Sequence, residues 1–198
     1  MSGFATHSES GHADKPVWLL LYGTGGDEHD LVPLAKTIAP DWGILSLRGR
    51  VVQNGQNRFF KRFDDGTFDM DDMAQQTEAL SAFVTAHKTE RPLIALGYSN
   101  GANMIASLLL RGHDMLDGAV LLRPTLPFTP EKLPQLDLDV LILSGLLDDV
   151  TPAEYAEKLA TLLTKTGAKV EYQPRPTTHG LNDKDVIRTR EWLNRIGR

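Results

Sequence analysis

Five predominantly apolar runs mark the chain, at positions 17–22, 43–47, 93–96, 118–122 and 140–144, interrupted only by Ser46 and Ser144, and a more polar run of strand type lies at 169–173. Apolar runs without alternation belong to strands covered on both faces, as in parallel sheets. Between them the period changes. Met73, Thr77, Leu80 and Val84 recur at threes and fours, which predicts an amphipathic helix over 71–87. Further helices are predicted over 31–39, from Ala102 onward, up to Lys165 behind a capping box with Thr151 as cap and Glu154 at the third position, and over 183–196. Strands alternating with helices specify an α/β fold: a mostly parallel, doubly wound sheet with helices on both faces.

Three stretches fall outside this alternation. Residues 1–15 are small and polar and predict a flexible tail ahead of one domain over 16–198, and His7 and His12 within it have no further metal ligands nearby in sequence. Residues 48–70 form a long connection without clear period, in which Arg48, Arg50, Arg58, Lys61 and Arg62 precede Asp64, Asp65, Asp69, Asp71 and Asp72. Either an arginine there faces a site and favours anionic substrates, or the charges neutralise one another in the loop and at a helix N-terminus, where aspartates belong electrostatically. Arg58, Phe59 and Phe60 are candidate pocket wall. Residues 123–130 carry three prolines, which predict a stiff extended loop whose Leu126 and Phe128 either line an acyl pocket or touch the core.

A chain of 198 residues can bury about 70% of its unfolded surface in one core. It has no cysteine, which removes disulfides, thiolate metal sites and a cysteine nucleophile. The net charge of −5 argues against general nucleic-acid binding. No apolar run approaches the ~18 residues of a membrane span, and the N-terminus lacks a basic start with an apolar core, so a soluble cytoplasmic protein without signal peptide is expected.

The candidate chemistry sits where strands end. Gly97-Tyr98-Ser99-Asn100-Gly101 has the spacing of a nucleophile elbow, a sharp strand-to-helix turn that holds a serine oxygen clear of the backbone. Two glycines around a serine also recur by accident, so context has to decide. Gly23-Thr24-Gly25-Gly26, after the first strand, lacks a P-loop lysine and a G-x-G-x-x-G, and the acidic residues that follow would repel phosphate. It fits a loop whose N–H groups hold a reacting carbonyl oxygen, a plain turn being the other reading. Asp148 and Asp149 follow the strand at 140–144, and His179 follows the strand at 169–173. Open α/β sheets bind ligands outside the carboxyl ends of their strands, so these loops share one edge.

Ser, Asp and His in that order along the chain is the α/β-hydrolase order. Tyr22 to Glu28, Arg48-Gly49 with Asn54-Gly55 and Arg58-Phe59-Phe60, Gly97 to Asn103, Gly145 to Pro152, and His179-Gly180 together resemble the small phospholipase/carboxylesterase family of α/β-hydrolases. Within it, they are similar to bacterial carboxylesterases linked to hydroquinone and quinone stress. The resemblance extends over nearly the whole chain after residue 16. It implies a compact α/β-hydrolase fold without a large lid domain, hydrolysis of small or short-chain carboxylic esters through an acyl-enzyme, no metal or other cofactor, a small-molecule ester as partner, and a homodimer as one permitted assembly.

It also implies Ser99 as nucleophile, His179 as base and Asp148 as triad acid. Asp148 is preferred over Asp149 because the family's aspartate stands three residues after a glycine and four before a proline, here Gly145 and Pro152. The backbone N–H groups of Thr24 and Asn100 are the implied oxyanion hole, and Tyr22, Arg58, Phe59, Phe60, Leu126 and Leu146 are expected at the substrate. Tyr22 departs from the pattern, since many relatives have His before the glycine; with main-chain donors in the hole, that change bears on the pocket wall more than on the chemistry. A thioesterase, lysophospholipase or acyltransferase would use the same three side chains, and a non-catalytic small-molecule binder is the reading from a different class.

Overall fold

The apolar runs become the inner strands of one sheet. In the computed structural model, which describes residues 3–198, the elements follow the chain as β1 (Thr6–Glu9), β2 (Val17–Leu21), α1 (Val32–Ile38), β3 (Gly43–Leu47), β4 (Val51–Gln53), β5 (Gln56–Arg58), α2 (Met70–His87), β6 (Leu93–Tyr98), α3 (Asn100–Leu110), β7 (Gly118–Leu122), β8 (Asp139–Gly145), α4 (Ala153–Lys165), β9 (Lys169–Arg175) and α5 (Asp183–Arg195). The sheet runs in the order β1-β3-β2-β6-β7-β8-β9, and every neighbouring pair is parallel except β1 on β3.

Trp18 to Leu21, Ile94 to Leu96, Ala119 to Leu122 and Val140 to Leu143 are wholly buried along four successive inner strands. Side chains alternate between faces, so unbroken burial means that both faces are covered. Helix α3 packs on β2, β6 and β7, α4 packs on β8 and β9, and α1 lies against α5. Each fully buried Leu, Ile or Val contributes about 1.5–3 kcal/mol relative to an exposed one. The chain leaves β2 for β3 on one side and returns to β6 on the other, so the order reverses beside β2. That reversal opens a crevice at the carboxyl ends of β2 and β6, where the glycine loop and Ser99 stand.

The structure corrects three expectations. Residues 6–9 are not a loose tail: β1 pairs Thr6 with Leu47 through Glu9 with Ile44, and Glu9 also meets Lys36 at 2.8 Å. The long connection contains a β4–β5 hairpin turned by Asn54 and Gly55, both with positive φ (54° and 74°), as a type I′ turn requires. Helix α4 has Pro152 at its N-cap with no side-chain cap, because the Thr151 hydroxyl is engaged by Asp148 instead.

Candidate active site

Ser99 stands between β6 and α3 with φ 49° and ψ −110°, outside the regions ordinary residues favour. Strain of this kind costs on the order of 1–3 kcal/mol and persists only where surroundings fix it. Here the Ser99 N–H donates to the Leu122 carbonyl at 2.9 Å, and the Ser99 carbonyl accepts from the Asn103 N–H at 2.9 Å. The elbow glycines are required by space. A Cβ on Gly101 would lie 1.9 Å from the Leu21 carbonyl oxygen of β2, and one on Gly97 would lie 2.8 Å from the Ala102 backbone. Only bare Cα atoms let α3 start this close to the strands.

His179, in the loop after β9, places Nε2 3.0 Å from Ser99 Oγ and Nδ1 2.8 Å from Asp148 Oδ2. Asp148 Oδ1 accepts from the N–H groups of Val150 (2.9 Å) and Thr151 (2.8 Å), and Oδ2 also accepts from the Thr151 hydroxyl (2.7 Å). Burial pushes the Asp148 carboxyl up, but hydrogen bonds from Thr151, His179 and Val150 outweigh it and hold the group below the usual carboxylate range. An ionised carboxylate only accepts, so Nδ1 carries the proton and Nε2 is left to accept from Ser99. Asp149 is exposed and takes no part.

The glycine loop and the elbow leave several amides unused, those of Gly23, Thr24 and Asn100 among them. Gly25 N–H donates to the Asn57 carbonyl and Gly101 N–H to the Tyr22 carbonyl, both at 2.9 Å, whereas the N–H groups of Thr24 and Asn100 have no acceptor among the described residues. Asn100 opens α3, where an N–H has no partner within the helix. The loop abuts the elbow: a Cβ on Gly23 would come 3.5 Å from Ser99 Cβ.

The other candidate residues divide. Tyr22 lines a cavity of about 220 Å³ with Gly23, Thr24, Asp30, Leu31, Tyr98 and Leu181, a set that includes the glycine loop and the residue preceding Ser99. Its hydroxyl accepts from Gly49 N–H at 2.9 Å, and burial pushes its pKa up to about 12, so it stays protonated at neutral pH and serves as wall. Phe59 and Phe60 are core residues, packed on Tyr22 and Phe68, with no surface to offer a ligand. They back the site from behind, contrary to expectation. Leu126 lies in a separate groove along α4 with Glu154, Lys158 and Leu162, and Leu146 is 58% exposed on the turn before Asp148; neither is brought to Ser99. Arg58 is buried beside the elbow, since the next residue, Phe59, donates its N–H to Asn100 Oδ1 at 2.8 Å.

Sequence reasoning missed Arg123. This residue follows β7 with φ 54° and is wholly buried. Its guanidinium donates to the carbonyls of Thr178 and Gly180, both at 3.1 Å, on either side of His179, and forms a bidentate pair with Asp185 of α5 at 2.9 and 3.0 Å. Tyr98 adds a bond from its hydroxyl to the His179 carbonyl at 3.2 Å. The strand-end rule that selected Asp148 and His179 also points to position 123, which directly follows a strand. Asp185 carried only a helix-start signal, as the third residue of an Asn182 capping box.

Among the described residues no group of three or more metal-ligating side chains is gathered, and no helix is long and apolar enough to cross a membrane. No family model matches the sequence. A protein of Bacillus subtilis (strain 168) named as a hydrolase, MhqD, is 40% identical over 190 residues, covering 93% of this chain and 94% of that one. The crystal structure of the Bacillus cereus carboxylesterase is similar with a TM-score of 0.91 and 37% identity over 97% of this chain and 94% of that one. The carboxylesterase from Mesorhizobium loti is similar with a TM-score of 0.85 and 32% identity, over 96% and 94%.

Proposed function

The chain belongs to the phospholipase/carboxylesterase family of α/β-hydrolases, and from that membership we propose that it hydrolyses small carboxylic esters through Ser99, His179 and Asp148. The observation that carries this reading is the unbroken relay of 3.0 Å from Ser99 Oγ to His179 Nε2 and 2.8 Å from His179 Nδ1 to Asp148. A serine hydroxyl is a poor nucleophile at neutral pH until an imidazole accepts its proton. In the first half-reaction Oγ bonds to the ester carbonyl carbon while its proton passes to Nε2. The tetrahedral intermediate then expels the alkoxide, which takes that proton and leaves as the alcohol. In the second half a water gives its proton to Nε2, attacks the acyl-enzyme, and releases the acid with Ser99 restored. Asp148 holds the tautomer and stabilises the imidazolium.

The free N–H groups of Thr24 and Asn100 suit the oxyanion of both intermediates, each contributing about 3 kcal/mol to barrier lowering in comparable sites. The cavity of about 220 Å³ lined by the glycine loop, Tyr22 and Tyr98 is below the roughly 300–1,000 Å³ typical of drug-sized ligands, in keeping with a small substrate. Hydrolysis of p-nitrophenyl acetate tests the reading. Activity and fluorophosphonate labelling are expected in the wild type and should both vanish in Ser99→Ala; undiminished turnover in that variant would remove the proposal.

A further inference from the structure

Of the five cations between positions 48 and 62, three have partners. Arg48 binds Glu28 at 2.5 and 3.0 Å, Lys61 lies 3.6 Å from Asp72, and Arg50 donates to Gln76 at 2.9 and 3.1 Å. Arg58 and Arg62 enter no ion pair among the described residues, and the Nε of each is buried without an acceptor. Arg62 has at least the ring of Phe68, 4.9 Å from its guanidinium carbon. Arg58 has nothing, although it is only 9% exposed. Burial, followed for Arg58 by the neighbouring Arg62, lowers the pKa of these groups, yet a guanidinium remains charged at any physiological pH. Only Nε is buried without a partner in each; the outer guanidinium nitrogens make no hydrogen bond yet keep solvent contact, so two unneutralised positive charges stand side by side and remain open to an anion.

The position of Arg58 says which ligand. On one side of it, Asn57 accepts from Gly25 N–H at 2.9 Å and donates through Nδ2 to the Gly26 carbonyl at 2.9 Å. On the other side, Phe59 N–H donates to Asn100 Oδ1 at 2.8 Å. Arg58 thus stands on a segment, the second strand of the β4–β5 hairpin and its exit, that is bonded to both the glycine loop and the elbow, the two loops that carry the free amides. We propose that Arg58, with Arg62 beside it, is an anion subsite at the rim of the ester cleft, and that the preferred substrates are small esters bearing a carboxylate. The inference rests on the reading of Ser99 as nucleophile. A guanidinium fork matches the planar carboxylate with two parallel bonds, and one bound negative charge relieves the repulsion between the two arginines. The chain as a whole carries a net charge of −5, which repels anions, so any preference for them has to be local.

The test compares kcat/KM for two neutral esters with their carboxylate-bearing counterparts: p-nitrophenyl acetate against mono-p-nitrophenyl succinate, with the charge on the acyl side, and phenyl acetate against 4-acetoxybenzoate, with the charge on the alcohol side. In the full-length wild type one carboxylate ester is expected to exceed its neutral counterpart by about tenfold or more, the worth of a hydrogen bond to a charged group. That ratio should fall to near one in Arg58→Gln, fall partway in Arg62→Gln, and persist in Arg50→Gln, an exposed cation outside the cleft. Should Arg58→Gln not fold, Arg58→Lys carries the same test, since a lysine keeps the charge without the fork and the ratio should still drop severalfold. No preference for either carboxylate ester in the wild type, or a preference that survives the Arg58 substitutions, overturns the subsite while hydrolysis of the neutral esters leaves the hydrolase reading intact. Failure to hydrolyse any of the four esters overturns both.

Discussion

Replacing Arg123 by methionine tests how far the imidazole depends on a side chain that never touches substrate. The substitution keeps much of the volume and removes five hydrogen bonds, three to the carbonyls of Leu143, Thr178 and Gly180 and two to Asp185. The side chains of Arg123 and Asp185 are 0% and 3% exposed, so the orphaned carboxylate cannot turn to water. Breaking such a buried pair from one side costs about 3–5 kcal/mol. With an unfolding entropy of about 2.1 cal/mol/K per residue, the 198-residue chain should melt roughly 7–12 °C lower. The kinetic effect is separate. The two carbonyls released flank His179, and a displacement of about 1 Å at the base is enough to lower kcat about a hundredfold. Arg123→Lys retains the charge but cannot span both carbonyls and the carboxylate, so it should lose less melting temperature in proportion to kcat. The assay is thermal melting alongside ester turnover at 20 °C, where both variants are folded. A methionine variant that melts 7–12 °C lower yet turns over at the wild-type rate would refute the reasoning, because Arg123 would then hold the fold and not the imidazole.

Three further outcomes are expected. Asp148 has a lowered pKa in the folded state, so its contribution is fully present above the unfolded carboxylate value of about 3.9 and is lost as pH falls through the lower folded value. Urea melts should therefore show the wild type losing more stability than Asp148→Asn between pH 5 and pH 2.5, and parallel losses would sink the assignment. Gly101→Ala puts a methyl 1.9 Å from the Leu21 carbonyl carbon's oxygen and 2.6 Å from that of Tyr22, both rigid backbone of the β2 exit, so a loss above about 4 kcal/mol or failure to fold is expected. Gly180→Ala, whose nearest neighbour would be 3.9 Å away, should change stability by no more than about 0.5 kcal/mol, and equal melting of the two alanine variants would contradict the packing account.

The inner strands were legible because parallel strands buried on both faces need no alternation, and 17–22, 93–96, 118–122 and 140–143 are apolar throughout. The strand-end loops were legible for the same reason: once the strands are placed, a wound sheet brings their carboxyl ends together. What stayed hidden depends on partners distant in sequence. Strand β1 is Thr-His-Ser-Glu, half exposed, and becomes a strand only because β3 offers it an unpaired edge. The Asn54-Gly55 turn was a local signal of a hairpin, but its strands are three residues each and show no usable period. Thr151 has the sequence of a cap, and Asp148 three residues earlier takes its hydroxyl instead. Arg123 and Asp185 are 62 residues apart, and nothing local to either announces the other. For Phe59, Phe60, Leu126 and Leu146, apolar character left open whether each faces the core, a remote groove or solvent.

The short antiparallel ribbon at the start of the chain also decides how the protein tolerates trimming. Clipping away the first nine residues would bare the outer flank of Gly43–Leu47, five buried residues whose amides and carbonyls would then face water in a row. A naked apolar margin of that kind recruits strands from other molecules. Four polar residues with no part in the chemistry thus act as a selvedge, keeping the sheet from being knitted onto its neighbours.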